Sequence, residues 1–198
     1  MEITAALVRE LREKTNAGMM DCKQALQETS GNMDKAVDLL RQKGLATAMK
    51  RAGKQASEGL VHAYIHAGGR MGVLVEVNCE TDFAAKSQDF QDFVKNVAMQ
   101  IAATNPLGVS KDDVPQEAIE RERAIYLAQA RESGKPDNIL EKMVDGKMRK
   151  YFQEVVLLEQ AYVKDPDKTI QDYLNELLAK TGEKILIRRF VRFQLGAE

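Results

Sequence analysis

Near Glu58 the hydrophobic period of the chain changes, and this change limits the fold more than any other feature. Before it, apolar residues recur at helical spacing: Ile3, Leu7, Val8 and Leu11, then Cys22, Ala25 and Leu26, then Ala36, Val37 and Leu40. After it, Val61, Ala63, Ile65 and Ala67 alternate with His62, Tyr64 and His66, and Val73, Val75, Val77 and Cys79 alternate with Leu74, Glu76 and Asn78. Gly68-Gly69 separates the two runs, and a glycine pair supplies the positive φ angles of a tight primed turn. The pattern predicts an antiparallel hairpin over 59–79 with its odd-numbered side chains on the core face. A third strand is expected near the C-terminus, where Ile185, Ile187, Val191, Phe193 and Leu195 again occupy odd positions.

The first fifty residues read as three short helices. Thr4 is placed to cap the first, Thr15-Asn16-Ala17-Gly18 breaks it, and the second stops at Ser30-Gly31. Asn32 caps the third, which is expected to be interrupted at Gly44. So few large apolar residues bury little surface, so the bundle is marginal by itself. Between hairpin and last strand, Phe90, Phe93, Val94, Val97, Ala98 and Ile101 mark an amphipathic helix ending before Asn105-Pro106. Another runs from about Pro115 to Ser133-Gly134, a longer one over about 138–163, and a last over about 169–180, ending at Thr181-Gly182. The class is α+β: a helical bundle over 1–54, then a small three-stranded antiparallel sheet packed with helices over 55–198.

Composition narrows the function classes. With 198 residues, 44% hydrophobic and 30% charged, the chain can bury a core and is not biased towards disorder. No apolar run reaches the roughly 20 residues of a membrane span, and Met1-Glu2-Ile3-Thr4 is acidic where a signal peptide is basic, so a cytoplasmic protein is expected. Cys22 and Cys79 are too few for a disulfide scaffold. A net charge of −1 argues against coating nucleic acid. Charge is uneven: residues 1–56 carry ten basic against seven acidic side chains, 57–198 nineteen against twenty-three. The excess sits in Arg41, Lys43, Lys50, Arg51 and Lys54, which reads as a solvated helix face or linker, or else as a binding stripe. RNA binding through 41–54 is disfavoured because that stretch has no aromatic residue for base stacking.

Signals for catalysis are missing. His62 and His66 lie roughly 13 Å apart on a strand, too far to share a metal ion. Gly53-Lys54 is followed by Gln55, without the hydroxyl of a phosphate loop, and there is no dinucleotide fingerprint. Cys79 falls on the inferred core face, away from a role as nucleophile. No enzyme is expected, and no cofactor or metal.

Three features suit binding instead. Met19 and Met20 follow a loop glycine; they are core filler, or a flexible surface for a partner helix. His66 beside the glycine pair is a solvent-facing strand residue or a partner contact. In Asn78-Cys79-Glu80-Thr81-Asp82-Phe83, a buried-type strand ends and a hydroxyl, a carboxylate and an aromatic follow at once. Either Thr81 or Asp82 caps the next helix with Phe83 as its hydrophobic anchor, or Phe83 protrudes as a wedge with Asp82 beside it.

The stretch Leu11-Arg12-Glu13-Lys14-Thr15-Asn16-Ala17-Gly18-Met19-Met20-Asp21-Cys22-Lys23-Gln24-Ala25-Leu26 and the stretch Val77-Asn78-Cys79-Glu80-Thr81-Asp82-Phe83 closely resemble the two signatures of the bacterial translation elongation factor Ts family. Gly134-Lys135-Pro136, Glu141-Lys142-Met143-Val144 and Arg188-Arg189-Phe190-Val191-Arg192-Phe193 extend the likeness over essentially the whole chain. Two positions depart from the family pattern: Asn16 stands where Gly is expected, and Ala84 where a larger Val is common. Asn tolerates a left-handed backbone, so the first change should preserve the loop; the second should loosen packing beside the wedge.

The resemblance implies a guanine nucleotide exchange factor for elongation factor Tu. Its ubiquitin-associated-like bundle would set Met19, Met20 and Lys23 against a helix of the partner's nucleotide domain, and Thr81, Asp82 and Phe83 would supply the wedge that disturbs the magnesium and phosphate site. His66 is a further candidate contact. The chain resembles the short form of the family, with one sheet-bearing half. Apolar residues such as Leu74, Leu186 and Phe190 on the second sheet face then predict a homodimer. The competing reading is a non-enzymatic adaptor that binds a peptide or ubiquitin-like partner through the bundle; it gives Phe83 no role.

Overall fold

The computed structural model describes residues 3–15, 17–51, 53–132 and 136–197. Asn16 and Ser133-Gly134-Lys135 lie outside the described residues, as do Met1, Glu2 and the side chains of Lys50 and Arg51.

Three helices open the chain: α1 (Ala5–Thr15), α2 (Met19–Glu28) and α3 (Met33–Arg51). Thr4 Oγ1 accepts the Leu7 amide at 3.4 Å, a long cap. After α2 the amides of Ser30 and Gly31 donate to the carbonyls of Gln27 and Leu26, and both residues have positive φ. This is the Schellman closure expected of a Ser-Gly stop, with serine in the left-handed position. Asn32 Oδ1 then accepts the Lys35 amide at 3.0 Å and starts α3. The expected interruption at Gly44 does not occur. A Cβ there would sit 3.6 Å from Ala179 Cβ and 3.8 Å from the Asn175 carbonyl, so the glycine marks a close approach to a neighbouring helix rather than a break.

The hairpin consists of β1 (Glu58–Ile65) and β2 (Met71–Cys79). The turn is longer than two residues: the His66 amide donates to the Met71 carbonyl and the Gly69 amide to the His66 carbonyl, both at 2.9 Å, with Gly68 at φ 88°. Then follow α4 (Asp82–Lys86), α5 (Gln88–Thr104), α6 (Gln116–Arg131), α7 (Asp137–Val155), β3 (Ala161–Tyr162), β4 (Asp165–Thr169), α8 (Ile170–Thr181) and β5 (Ile185–Gln194). The class is α+β, with a three-stranded sheet in the order β1-β2-β5 and a two-stranded antiparallel β3-β4 pair.

Odd residues Val73, Val75, Val77 and Cys79 of β2 are buried as expected, but Val61, Ala63 and Ile65 of β1 are exposed. Pairing His66 with Met71 sets an even residue of β1 opposite an odd residue of β2, so the partly buried Tyr64 and His62 share the core face. Gly59 agrees with this register: its φ is +141°, and a Cβ there would overlap the Val77 carbonyl oxygen. On β5, Ile185 and Ile187 are buried, whereas Val191 and Phe193 on the strand and Leu195 just beyond it are exposed. Arg188 and Arg189 are consecutive exposed residues, and beyond them Phe190 and Arg192 take the partly buried positions. The Arg192 guanidinium accordingly bonds the Ala102 carbonyl of α5 at 3.2 Å.

The helix expected over 138–163 ends at Val155. There Leu107 donates to the Val155 carbonyl and Leu157 to that of Gly108, which draws the chain into an extended bridge. Buried Gln100 then holds the short β3 region: its Nε2 bonds Gln160 Oε1 and the Ala161 carbonyl, each at 3.1 Å, and its Oε1 accepts the Val163 amide at 2.9 Å. An unpaired buried amide is costly, so this glutamine fixes the local path of the chain.

Two compact units result. The first comprises residues 1–61, 76–95 and 172–187. Its helical bundle closes over Val8, Leu11, Ala17, Cys22, Ala25, Leu26, Ala36 and Leu40. Elsewhere in it Phe90 and Phe93 are fully buried, each stabilising by about 1.5–3 kcal/mol, and Phe93 packs on Tyr173 at 4.9 Å between ring centroids. The second unit comprises 62–75, 96–171 and 188–198, and includes the α6–α7 hairpin packed on Ala130, Leu140, Val144 and Met148.

Candidate partner-binding site

In the first unit the start of α2 presents Met19 and Met20, 48% and 72% exposed, and so not used as core filler. A shallow concavity beside them is floored by Ile3, Ala5 and Val8 and rimmed by Arg9, Arg12 and Lys23. An apolar floor with flexible thioethers and a basic rim suits a helix that offers apolar and acidic side chains.

The second cluster lies in the same unit, where β2 hands over to α4. Cys79 is fully buried, and its S–H donates to the Thr81 carbonyl at 3.1 Å. Burial foremost, then the Glu183 charge, pushes this thiol up to about 11, so it stays protonated at neutral pH. Thr81 has extended backbone, and its Oγ1 accepts the Ala84 amide at 3.2 Å, capping α4. The Glu183 carboxylate receives both donors of Thr81, the amide at 3.1 Å and the hydroxyl at 2.7 Å. Glu80 in turn accepts the Lys184 amide at 2.6 Å.

The structure decides the capping part of this segment. Thr81 is the cap, but Phe83 is not the anchor of the helix: it is 85% exposed, and Ala84 next to it is the buried residue. Asp82 is exposed and bonds Lys86 Nζ at 2.7 Å, one turn on. That hydrogen bond, and then the lysine charge, holds the Asp82 carboxyl below its ordinary value. The result is a one-turn helix with a capped start and a bare aromatic ring flanked by a carboxylate. Phe83 is thus left bare, although α4 buries Ala84 at the very next residue.

His66 belongs to the second unit, at the hairpin turn, where Nδ1 lies 2.9 Å from Tyr64 Oη. Of the basic residues over 41–54, Arg41 bonds Asp172 at 2.6 Å and Lys43 bonds Glu28 at 2.8 Å, Lys54 is exposed, and the side chains of Lys50 and Arg51 lie outside the described residues. Among the described residues no group of three or more His, Cys, Asp or Glu is placed to hold a metal ion. Glu183 is the site residue that sequence reasoning missed; it stands 102 positions from Thr81 and carries no local signal.

A family model described as Elongation factor TS matches residues 2–197. The chain belongs to the elongation factor Ts family. It is 78% identical over 198 residues to elongation factor Ts of Syntrophobacter fumaroxidans, covering 100% of this chain and 99% of that one. To the Desulfosudis oleivorans protein of the same name it is 62% identical over 194 residues, 98% of each chain. To that of Carboxydothermus hydrogenoformans it is 61% identical over 194 residues, 98% of this chain and 89% of that one. The methionine pair and the bare Phe83 therefore stand on a scaffold shared along the length of elongation factor Ts.

Proposed function

We propose that the protein is a guanine nucleotide exchange factor for elongation factor Tu in translation elongation, acting without catalytic chemistry or a cofactor of its own. The bundle, read as ubiquitin-associated-like, holds the partner's nucleotide domain through Met19, Met20 and Lys23. Phe83 then inserts between two helices of that domain and shifts the groups around magnesium and the phosphates. Asp82 adds a negative charge that disfavours return of the cation. His66 is a secondary contact. The observation that carries this reading is Phe83, 85% exposed on a capped turn.

Exchange is a linkage problem. A ligand weakens nucleotide binding only by as much as it favours the nucleotide-free conformation, and the coupling is reciprocal. An aromatic ring seated in an opened helix pair is such a differential contact, because the closed, nucleotide-bound form offers it no cavity. Bound GDP must correspondingly weaken the grip of this protein.

We read the active form as a cytoplasmic homodimer. No helix among the described residues is long and apolar enough to cross a membrane. In the second unit the sheet leaves Ile65, Leu74, Val191, Phe193 and Leu195 exposed, the kind of apolar face that a two-fold partner covers. Leu186 and Phe190 are half-buried and add less to such a face.

Stopped-flow mixing tests the exchange reading: fluorescent GDP preloaded on elongation factor Tu should leave much faster with this protein present. No acceleration by the wild-type chain would leave the adaptor reading standing.

A further inference from the structure

The ring of Phe83 is useful as a wedge only if it is aimed, and an exposed five-residue helix has little packing of its own to aim it. The aim is set from a distant segment. Gly182, at φ 70°, ends α8, and the next residue, Glu183, turns its carboxylate onto Thr81. One oxygen accepts the Thr81 amide at 3.1 Å and the other its hydroxyl at 2.7 Å. The same hydroxyl oxygen accepts the Ala84 amide, so the carboxylate fixes the orientation of the group that caps the wedge helix. Cys79 holds the Thr81 carbonyl from below. Glu80 returns the clamp by accepting the Lys184 amide at 2.6 Å, which pins Glu183's own backbone neighbour. Thr81 thus has its amide, hydroxyl and carbonyl all engaged before any partner arrives.

We propose that Glu183 is a positioning residue for nucleotide exchange: through Thr81 it presets the direction in which Phe83 leaves the surface. The proposal rests on the exchange reading above. A charged acceptor that receives two donors is among the stronger local restraints a protein can place on a turn. Preorganisation acts by removing the ordering cost that docking would otherwise bear.

The test compares Glu183→Ala, Glu183→Gln, Thr81→Val and the double variant Thr81→Val/Glu183→Ala. One readout is the rate of fluorescent GDP release from elongation factor Tu at saturating exchange factor; the other is amide hydrogen exchange of residues 81–86 in the free protein. Glu183→Ala should lower the saturated rate about tenfold and speed exchange at the Ala84 amide about tenfold, while the melting temperature falls by only a few degrees and the chain stays folded. Glu183→Gln keeps an acceptor oxygen and should recover most of both. In the Thr81→Val background, Glu183→Ala should add less than about a twofold loss, because its route of action is already cut. Equal losses from Gln and Ala, additivity with Thr81→Val, or unchanged amide exchange would each overturn the inference. Wild-type protein that accelerates release while Glu183→Ala matches it overturns the role of Glu183 alone. Wild-type protein without effect overturns the exchange reading, and Glu183's part in it.

Discussion

Phe83 and Met20 are both exposed and apolar, yet in the proposed exchange reaction they do different work, and this difference is measurable. Phe83→Ala removes the differential contact, so it should lower the saturated rate of GDP release by about 30-fold, the loss of an aromatic anchor worth about 2 kcal/mol. Met20→Ala removes uniform binding, so it should raise the concentration needed for half-saturation several-fold and leave the saturated rate nearly unchanged. Neither exposed side chain should shift stability by more than about 0.5 kcal/mol in urea unfolding. Cys79 behaves in the opposite way. Its folded thiol is raised to about 11 from 9.0, so its contribution is fully present below pH 9 and is lost as pH rises towards 11. Unfolding midpoints measured across that window should fall, and a thiol reagent at pH 8 should react with Cys79 only when the chain unfolds. At this scale the Thr81 cap was legible in the sequence as one of two candidates, while Met19, Met20, Lys23 and Phe83 remain proposed contacts. That Phe83 is not the buried anchor of its helix was not legible, because it depends on whether Ala84 or Phe83 meets the core. Glu183 was illegible because a hydrogen bond across 102 positions leaves no periodicity behind.

Among the elements, helix ends were read well where a local device sets them. Ser30-Gly31, Asn32, Asn105 and Gly182 act within one turn of their own position, and all four ends stand where expected. The faces of β1 and β5 were read poorly. A strand's inward face follows from the register with its partner, and one exposed residue more at Arg188-Arg189 reverses every side chain after it. The end of α7 was likewise decided elsewhere, by Gln100 and by the Gly108 bridge. Register carries its own prediction. Gly59→Val places a branched side chain at φ +141° against the Val77 carbonyl, so it should destabilise by at least about 2 kcal/mol. Gly53→Ala, where an added Cβ meets nothing within 4 Å, is the control and should change little in the same thermal melt.

For the whole molecule, the proposed dimer face of the second unit and the proposed exchange surface of the first make separate demands. Phe193→Asp should convert a micromolar dimer to monomer in sedimentation velocity while leaving far-ultraviolet circular dichroism unchanged; a wild-type monomer at that concentration would remove the dimer from the account. Reciprocal linkage predicts that excess GDP lowers the affinity of the two proteins by the same factor as this protein lowers that for GDP, which calorimetry in both directions can compare. The central claim, that an aimed and exposed Phe83 opens the partner's nucleotide site, has its most direct test in the stopped-flow trace. With saturating wild-type protein, fluorescent GDP should leave elongation factor Tu orders of magnitude faster than alone, and with folded Phe83→Ala most of that acceleration should disappear. A folded Phe83→Ala variant that accelerates release as well as wild type would contradict it.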